Sequence, residues 1–184
     1  KLLDDLGRAV APGPMPSRIV SLVPSDTYTL VRLGARERLV GRTDYCIEPR
    51  DAVAGIPTIG GTKNPRVDDI LDLKPDLVIA NQEENTRRDI EALIVKGVRV
   101  FVTMPRRFGD GLGLVARLAR LLEIEGEERV KDLVRENYRL VSAAQSARAV
   151  LRPIRTFLPI WMDPLMTANG DTFLSDALDL AGAA

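Results

Sequence analysis

Gln82-Glu83-Glu84-Asn85 follows at once on the apolar run Leu77-Val78-Ile79-Ala80, which sets two adjacent carboxylates at the end of a strand. Such a pair could hold a cation or hydrogen-bond a polar ligand. It equally suits a solvated helix N-terminus, where the helix dipole favours negative charge. Gly60-Gly61-Thr62-Lys63-Asn64-Pro65 departs from the phosphate-binding order GxxxxGK[ST]. Its glycine pair predicts a tight turn, with Lys63 and Asn64 projecting into solvent or toward a ligand. In Thr43-Asp44-Tyr45-Cys46, Tyr45 offers a rigid amphipathic surface, whereas Cys46 fits a small buried hydrophobe. Arg106 and Arg107 follow another apolar run and could pair an anionic ligand. Trp161, the only tryptophan, stands in Trp161-Met162-Asp163-Pro164 and reads as a binding surface or as ordinary core.

The composition excludes several chemistries. No histidine is present, which removes Ser–His–Asp hydrolysis and imidazole ligation together. One cysteine rules out a disulfide within the chain. Basic and acidic side chains balance at 26 each, so no charge excess points to nucleic acid. The 45% hydrophobic and 28% charged content is that of a soluble globular chain. No apolar run approaches the ~20 residues of a membrane span. The start, Lys1-Leu-Leu-Asp-Asp, is charged too soon for a signal peptide's apolar region.

The elements that must position these residues alternate. Apolar runs at Arg18–Val23, Arg38–Thr43, Pro57–Ile59, Leu77–Ala80 and Val98–Val102 predict strands. Between them, helical spacing predicts helices from a Ser25 or Asp26 cap to Leu33, over Val67–Leu73 and over Thr86–Lys96. This order predicts a parallel sheet, and ligands of such sheets collect beyond the carboxyl ends of the strands. Free helix N–H groups at Ser25-Asp26-Thr27 would face the same crevice. From Gly111 to Leu122 and from Glu127 to Arg148 the period is helical throughout. Ile154–Ile160 then reads as a strand, Trp161–Gly170 as a loop, and Thr172–Leu180 as a helix capped by Asp171. The expected fold class is α/β. A parallel-sheet lobe over 1–110 leads into a helical segment over 111–150 that holds the long inter-lobe helix. Residues 151–184 begin an incomplete second α/β lobe, too short for a core of its own.

With these segments placed, the chain resembles the helical-backbone (class III) substrate-binding proteins of ABC importers, which serve vitamin B12, ferric siderophores and haem. The matching segments are Arg18-Ile-Val-Ser-Leu-Val-Pro-Ser25, Gly34, Val40-Gly41 and Leu73-Lys-Pro-Asp-Leu-Val-Ile-Ala80, then the Glu127–Arg148 helix and the stretch Thr156–Gly182. It looks nearest the cobalamin-binding branch, where segments like Thr43-Asp-Tyr-Cys46, Gly60-Gly-Thr-Lys-Asn-Pro65 and Pro159-Ile-Trp-Met-Asp-Pro-Leu-Met-Thr167 recur. The resemblance implies two lobes joined by one rigid helix, with cobalamin or a ferric chelate held between them and no covalent cofactor or catalysis. It implies that Tyr45, Lys63, Glu83, Glu84, Asn85, Arg106 and Trp161 fall at ligand-facing loops. It also places Asp68 where the family docks an acid onto arginines of an ABC permease. That implies a periplasmic or cell-surface protein, peripheral to the membrane through its permease. Two rivals remain on the residues themselves. One is a cytosolic corrinoid or metal-chelate sensor; the other is a small-molecule enzyme using Glu83 or Glu84 as base beside Lys63.

Overall fold

Four of the apolar runs become strands, three buried along their whole length and one at alternate residues, and each satisfies its backbone sideways, in a ladder. They are β1 (Ile19–Ser21), β2 (Leu39–Arg42), β3 (Leu77–Asn81) and β4 (Val100–Thr103), and they form one parallel sheet in the order β2-β1-β3-β4. The register pairs Val20 with Val78 and Ile79 with Phe101. The computed structural model describes residues 2–11 and 13–184. It divides into two compact units, Lys1–Met104 with Arg117–Ile124 and Pro105–Ala116 with Glu125–Ala184.

In the first unit the strands alternate with α1 (Pro24–Arg32), α2 (Arg50–Val53), α3 (Val67–Asp72) and α4 (Arg87–Val95). Val20, Leu22, Val78, Ala80 and Val102 from the sheet and its edge pack with Ile70 of α3 and with Ile90 and Leu93 of α4. A fully buried leucine or isoleucine of this kind contributes roughly 1.5–3 kcal/mol. The helix starts differ from expectation. α1 begins at Pro24, with Val23 extended as the N-cap and no side-chain cap, so Ser25 and Asp26 lie inside the first turn. Proline, which has no N–H to leave unpaired, fits that first position. The strand expected at Pro57–Ile59 reduces to a single bridge between Arg42 and Thr58. There Pro57 can accept from Arg42 N at 3.0 Å but cannot donate.

The second unit holds the long helix α6 (Glu128–Val150), α7 (Phe173–Leu180) and a two-stranded sheet; α5 (Phe108–Leu121) belongs to both units, 108–116 to the second and 117–121 to the first. At ~1.5 Å per residue, α6 is about 35 Å long. Its exposed surface carries ion pairs one turn apart, Asp132 with Arg135 at 2.8 Å and Glu136 with Arg139 at 2.6 Å. Phe108 and Phe173 stack with ring centroids 5.1 Å apart. Three expectations fail here. Trp161 is not in a loop: β5 (Pro159–Met162) and β6 (Leu165–Thr167) pair antiparallel around the two-residue turn Asp163-Pro164. Of the strand expected over Ile154–Ile160, only Ile154 bridges, to Ala183, and Pro159-Ile160 has moved into β5. Likewise Thr172, not Asp171, caps α7, its hydroxyl accepting from Ser175 N at 3.2 Å. Among the described residues no helix is long and apolar enough to cross a membrane.

Candidate functional site

Asn81 ends β3 and starts the site. Its Oδ1 accepts from the backbone N–H of Glu83 at 2.8 Å and of Glu84 at 3.2 Å, which folds Gln82–Asn85 back over the strand end. This is an Asx turn, the local bond that short carboxamide side chains favour. Asn81 Nδ2 donates sideways to Thr103 Oγ1 at 3.1 Å, at the end of β4. Asn85 closes the turn, its Oδ1 accepting from Asn81 N at 2.8 Å.

Three loops are then joined. Asn85 Nδ2 donates to Thr62 O at 2.8 Å and to Leu22 O at 3.3 Å, linking the β3 loop to the glycine-rich loop and to the end of β1. Lys63 Nζ donates to Glu83 O, a second link between the same two loops. Asp44 N donates to Gly60 O at 2.9 Å, which brings the Tyr45 loop to the other side of the glycine pair. Gly60 has φ +96°, a conformation that only glycine adopts without strain. At Gly61 an added Cβ would lie 3.4 Å from Tyr45 Cε2 and would collide with the Asn64 side chain. The glycine pair therefore permits both the turn and the close approach of the Asn64 side chain.

The first unit thus brings Tyr45, Lys63, Glu83, Glu84 and Asn85 onto three linked loops. Tyr45 is 64% exposed. Lys63, Glu83 and Glu84 are exposed as well, and Glu83 offers its side chain to solvent while its backbone holds Lys63. Asn85 differs from the others. It is 4% exposed and both ends of its carboxamide are engaged inside the fold, so it supports the loops rather than presenting itself. Asp68 is exposed in the first turn of α3, next to the Arg66–Asp69 ion pair of 2.5 Å. Arg106 and Trp161 belong to the second unit. The Arg106 side chain is exposed while its N–H donates to Asp110 Oδ2 at 3.0 Å. Trp161 is 60% exposed on β5, and its Nε1 donates to Asp163 O at 2.8 Å.

Two residues beneath the loops carry no obvious signal in the sequence. Thr103 Oγ1 lies 2.9 Å from Asp26 Oδ2, and Asp26 is 3% exposed. Burial pushes the Asp26 carboxyl up to about 7; the Thr103 hydroxyl offsets part of that rise and the charge of Asp5 adds to it. From the sequence, Asp26 reads as a possible cap whose backbone N–H faces the crevice, with no role for its carboxyl. Chemically, the linked loops present an aromatic face, an ammonium and two carboxylates at the carboxyl edge of a parallel sheet, suited to contact and hydrogen bonding.

A family model described as Periplasmic binding protein matches residues 19–184. The vitamin B12-binding protein of Yersinia pestis (strain Pestoides F) is 27% identical over 172 residues, 93% of this chain and 60% of that protein. This chain therefore spans about 60% of the length of the curated relatives it matches. Among solved structures, the periplasmic vitamin B12 binding protein of Vibrio cholerae matches with a TM-score of 0.81 at 22% identity, over 92% of this chain and 66% of that one. The periplasmic heme-binding protein from Roseiflexus sp. RS-1 matches with a TM-score of 0.76 at 24% identity, over 91% and 64%. At these identities the two structures speak for the fold, an α/β architecture with a parallel sheet.

Proposed function

We infer function from one premise: the chain belongs to the periplasmic binding protein family. We propose that it captures a metal chelate, a corrinoid or a ferric siderophore or haem, for delivery to an ABC permease. The observation that carries this reading is the set of three loops joined through Asn85, Lys63 and the Asp44 N–H at the carboxyl edge of the sheet. Bonds among the loops hold Tyr45 and Glu83 in place before any ligand arrives, and preorganisation of this kind lowers the entropic cost of binding.

A broad chelate with an apolar face and a polar rim needs aromatic cover and a few orienting groups. Tyr45 and Trp161 supply the cover in this reading; Lys63, Glu83, Glu84 and Arg106 orient the rim, and Asn85 holds the loops that carry them. Residues 1–110 form the first lobe and 111–150 the helical segment, while 151–184 open the second lobe. Asp68, on α3, is the acid that meets the permease. The protein works in the periplasm or at the cell surface, peripheral to the membrane, without covalent cofactor or turnover. The relatives support this reading: the Yersinia and Vibrio proteins bind vitamin B12, and the Roseiflexus protein binds haem.

Titration of Trp161 fluorescence with cyanocobalamin, haemin and a ferric siderophore tests it, using the full-length natural product beside this chain. Saturable quenching by one of them, corrected for absorbance and weakened by Trp161→Ala, is the expected result. No binding of any of the three by the full-length product overturns the reading.

A further inference from the structure

Thr103 has one hydroxyl proton and two acceptors within reach, Asp26 Oδ2 at 2.9 Å and Ala80 O at 3.2 Å. Its oxygen also accepts from Asn81 Nδ2 at 3.1 Å. Which acceptor takes the proton depends on Asp26. An ionised Asp26 can only accept, so the hydroxyl points to it; a neutral Asp26 donates to Thr103 Oγ1, and the hydroxyl turns to Ala80 O. A hydroxyl that donates to an anion becomes a better acceptor in its turn, because bonds in a chain polarise one another. Ionisation of Asp26 therefore tightens the Asn81 Nδ2 bond to Thr103. Asn81 Oδ1 is the group that holds the Glu83 and Glu84 N–H groups.

We propose that Asp26 is the positioning residue of this edge: acting through Thr103 and Asn81, it sets the backbone that carries Glu83 and Glu84. The three side chains are buried, Thr103 fully and Asp26 and Asn81 nearly so, so water does not loosen the relay. The charged group that bears on Asp26 from outside the relay is Asp5, whose carboxylate is held by Arg117 at 2.5 Å and by the Met104 N–H at 2.6 Å. Burial, with Asp5 adding to it, puts the proton exchange of Asp26 near neutral pH. The relay thus switches in the range where solvent pH varies, rather than near the ordinary carboxylate range.

The test follows the backbone amides of Glu83 and Glu84 by nuclear magnetic resonance from pH 4 to 9 in the ligand-free chain, for the wild type, Asp26→Asn, Thr103→Val and Thr103→Ser. The expected result is a step near pH 7 at both amides, lost in Asp26→Asn and Thr103→Val and retained in Thr103→Ser. No step in the wild type, or a step that survives Asp26→Asn, overturns the proposal; the wild-type titration alone is decisive if a variant fails to fold. A second arm, which rests on the binding reading above, measures cyanocobalamin and haemin affinity at pH 5.5 and 8.5. There a change of roughly fivefold or more, absent in Asp26→Asn, is expected for the probe that binds. If the full-length product binds none of cyanocobalamin, haemin and a ferric siderophore while the amide step behaves as stated, the chelate reading falls and the positioning role stands.

Discussion

Asn85 reaches across 23 residues of chain to donate to the Thr62 carbonyl at 2.8 Å. With that bond the glycine-rich loop becomes part of the β3 loop, although the two have no sheet ladder between them. The same carboxamide accepts from Asn81 N and donates to Leu22 O, so one buried side chain ties the ends of β1 and β3 to the loop between them.

Removing Asn85 should therefore be costly twice over. Asn85→Ala deletes three hydrogen bonds and leaves Thr62 O and Asn81 N unpaired in a buried place. Net losses of roughly 1 kcal/mol per bond, with desolvation of the orphaned groups, predict destabilisation of about 2–4 kcal/mol. Urea unfolding measures it. A loss below about 1 kcal/mol means that the loops hold together without this residue.

Asp26 makes stability depend on pH in an unusual direction. Its carboxyl rises from 3.8 to about 7 on folding, so between those values the folded state keeps a proton that the unfolded chain has released. Stability from this group is therefore full below pH 4, falls as the pH rises toward 7, and is level above that. At ~1.4 kcal/mol per unit the drop is on the order of 4 kcal/mol. Asp26→Asn keeps an acceptor and gains an N–H that can replace the neutral acid's donor. It should flatten the fall and stabilise the protein at pH 8, as seen in denaturant midpoints across that range. A wild-type profile that rises from pH 4 to 7 contradicts the raised carboxyl.

Much of this arrangement is legible in the sequence, for reasons that differ by element. Leu77–Ala80 and the Gln82–Asn85 cluster can be read because a doubly buried strand must be apolar along its length, and its polar end must then mark the edge. α4 can be read from Thr86 to Gly97 because cap, apolar face and C-terminal glycine all agree. The β5–β6 hairpin is hidden. Pro159 and Pro164 punctuate it like a loop, and its residues are exposed on both faces, so they show no alternation. From the sequence alone, Trp161 accordingly reads as a loop residue. The relay is hidden more deeply, because Asp26 and Thr103 stand 77 residues apart and each has a sufficient local reading, one as a helix cap and the other as the end of a strand.

Gly60 and Gly97 separate backbone strain from crowding. Both have positive φ, +96° and +81°. A Cβ at Gly97 meets nothing within 4 Å, whereas at Gly60 it would lie 3.0 Å from Asn64 O. Gly97→Ala should cost only the left-handed conformation, about 1 kcal/mol. Gly60→Ala should cost more than that, since Asn64 backbone must also shift, and it should displace Lys63 from Glu83 O. Paired unfolding measurements check the order. Equal losses at the two sites mean that the loop yields freely and that its packing does not fix Tyr45 and Lys63.

Asp68 offers the cleanest separation of docking from binding. It is exposed in the first turn of α3, while its neighbour Asp69 already pairs with Arg66 at 2.5 Å. An exposed carboxylate of this kind contributes little to folding, so Asp68→Lys should leave the unfolding free energy within about 0.5 kcal/mol of the wild type. Chelate affinity should be unchanged as well, because Asp68 itself lies outside the three linked loops and its side chain is exposed. If the carboxylate meets arginines of a permease, reversal of its charge replaces attraction with repulsion at the contact. Like charges set against each other at an interface cost several kcal/mol and slow encounter. Association with the reconstituted permease should then weaken by roughly tenfold or more, with Asp69→Ala as the control for a general change in the helix. Undiminished association of Asp68→Lys would remove Asp68 from the docking surface while leaving the ligand edge untouched.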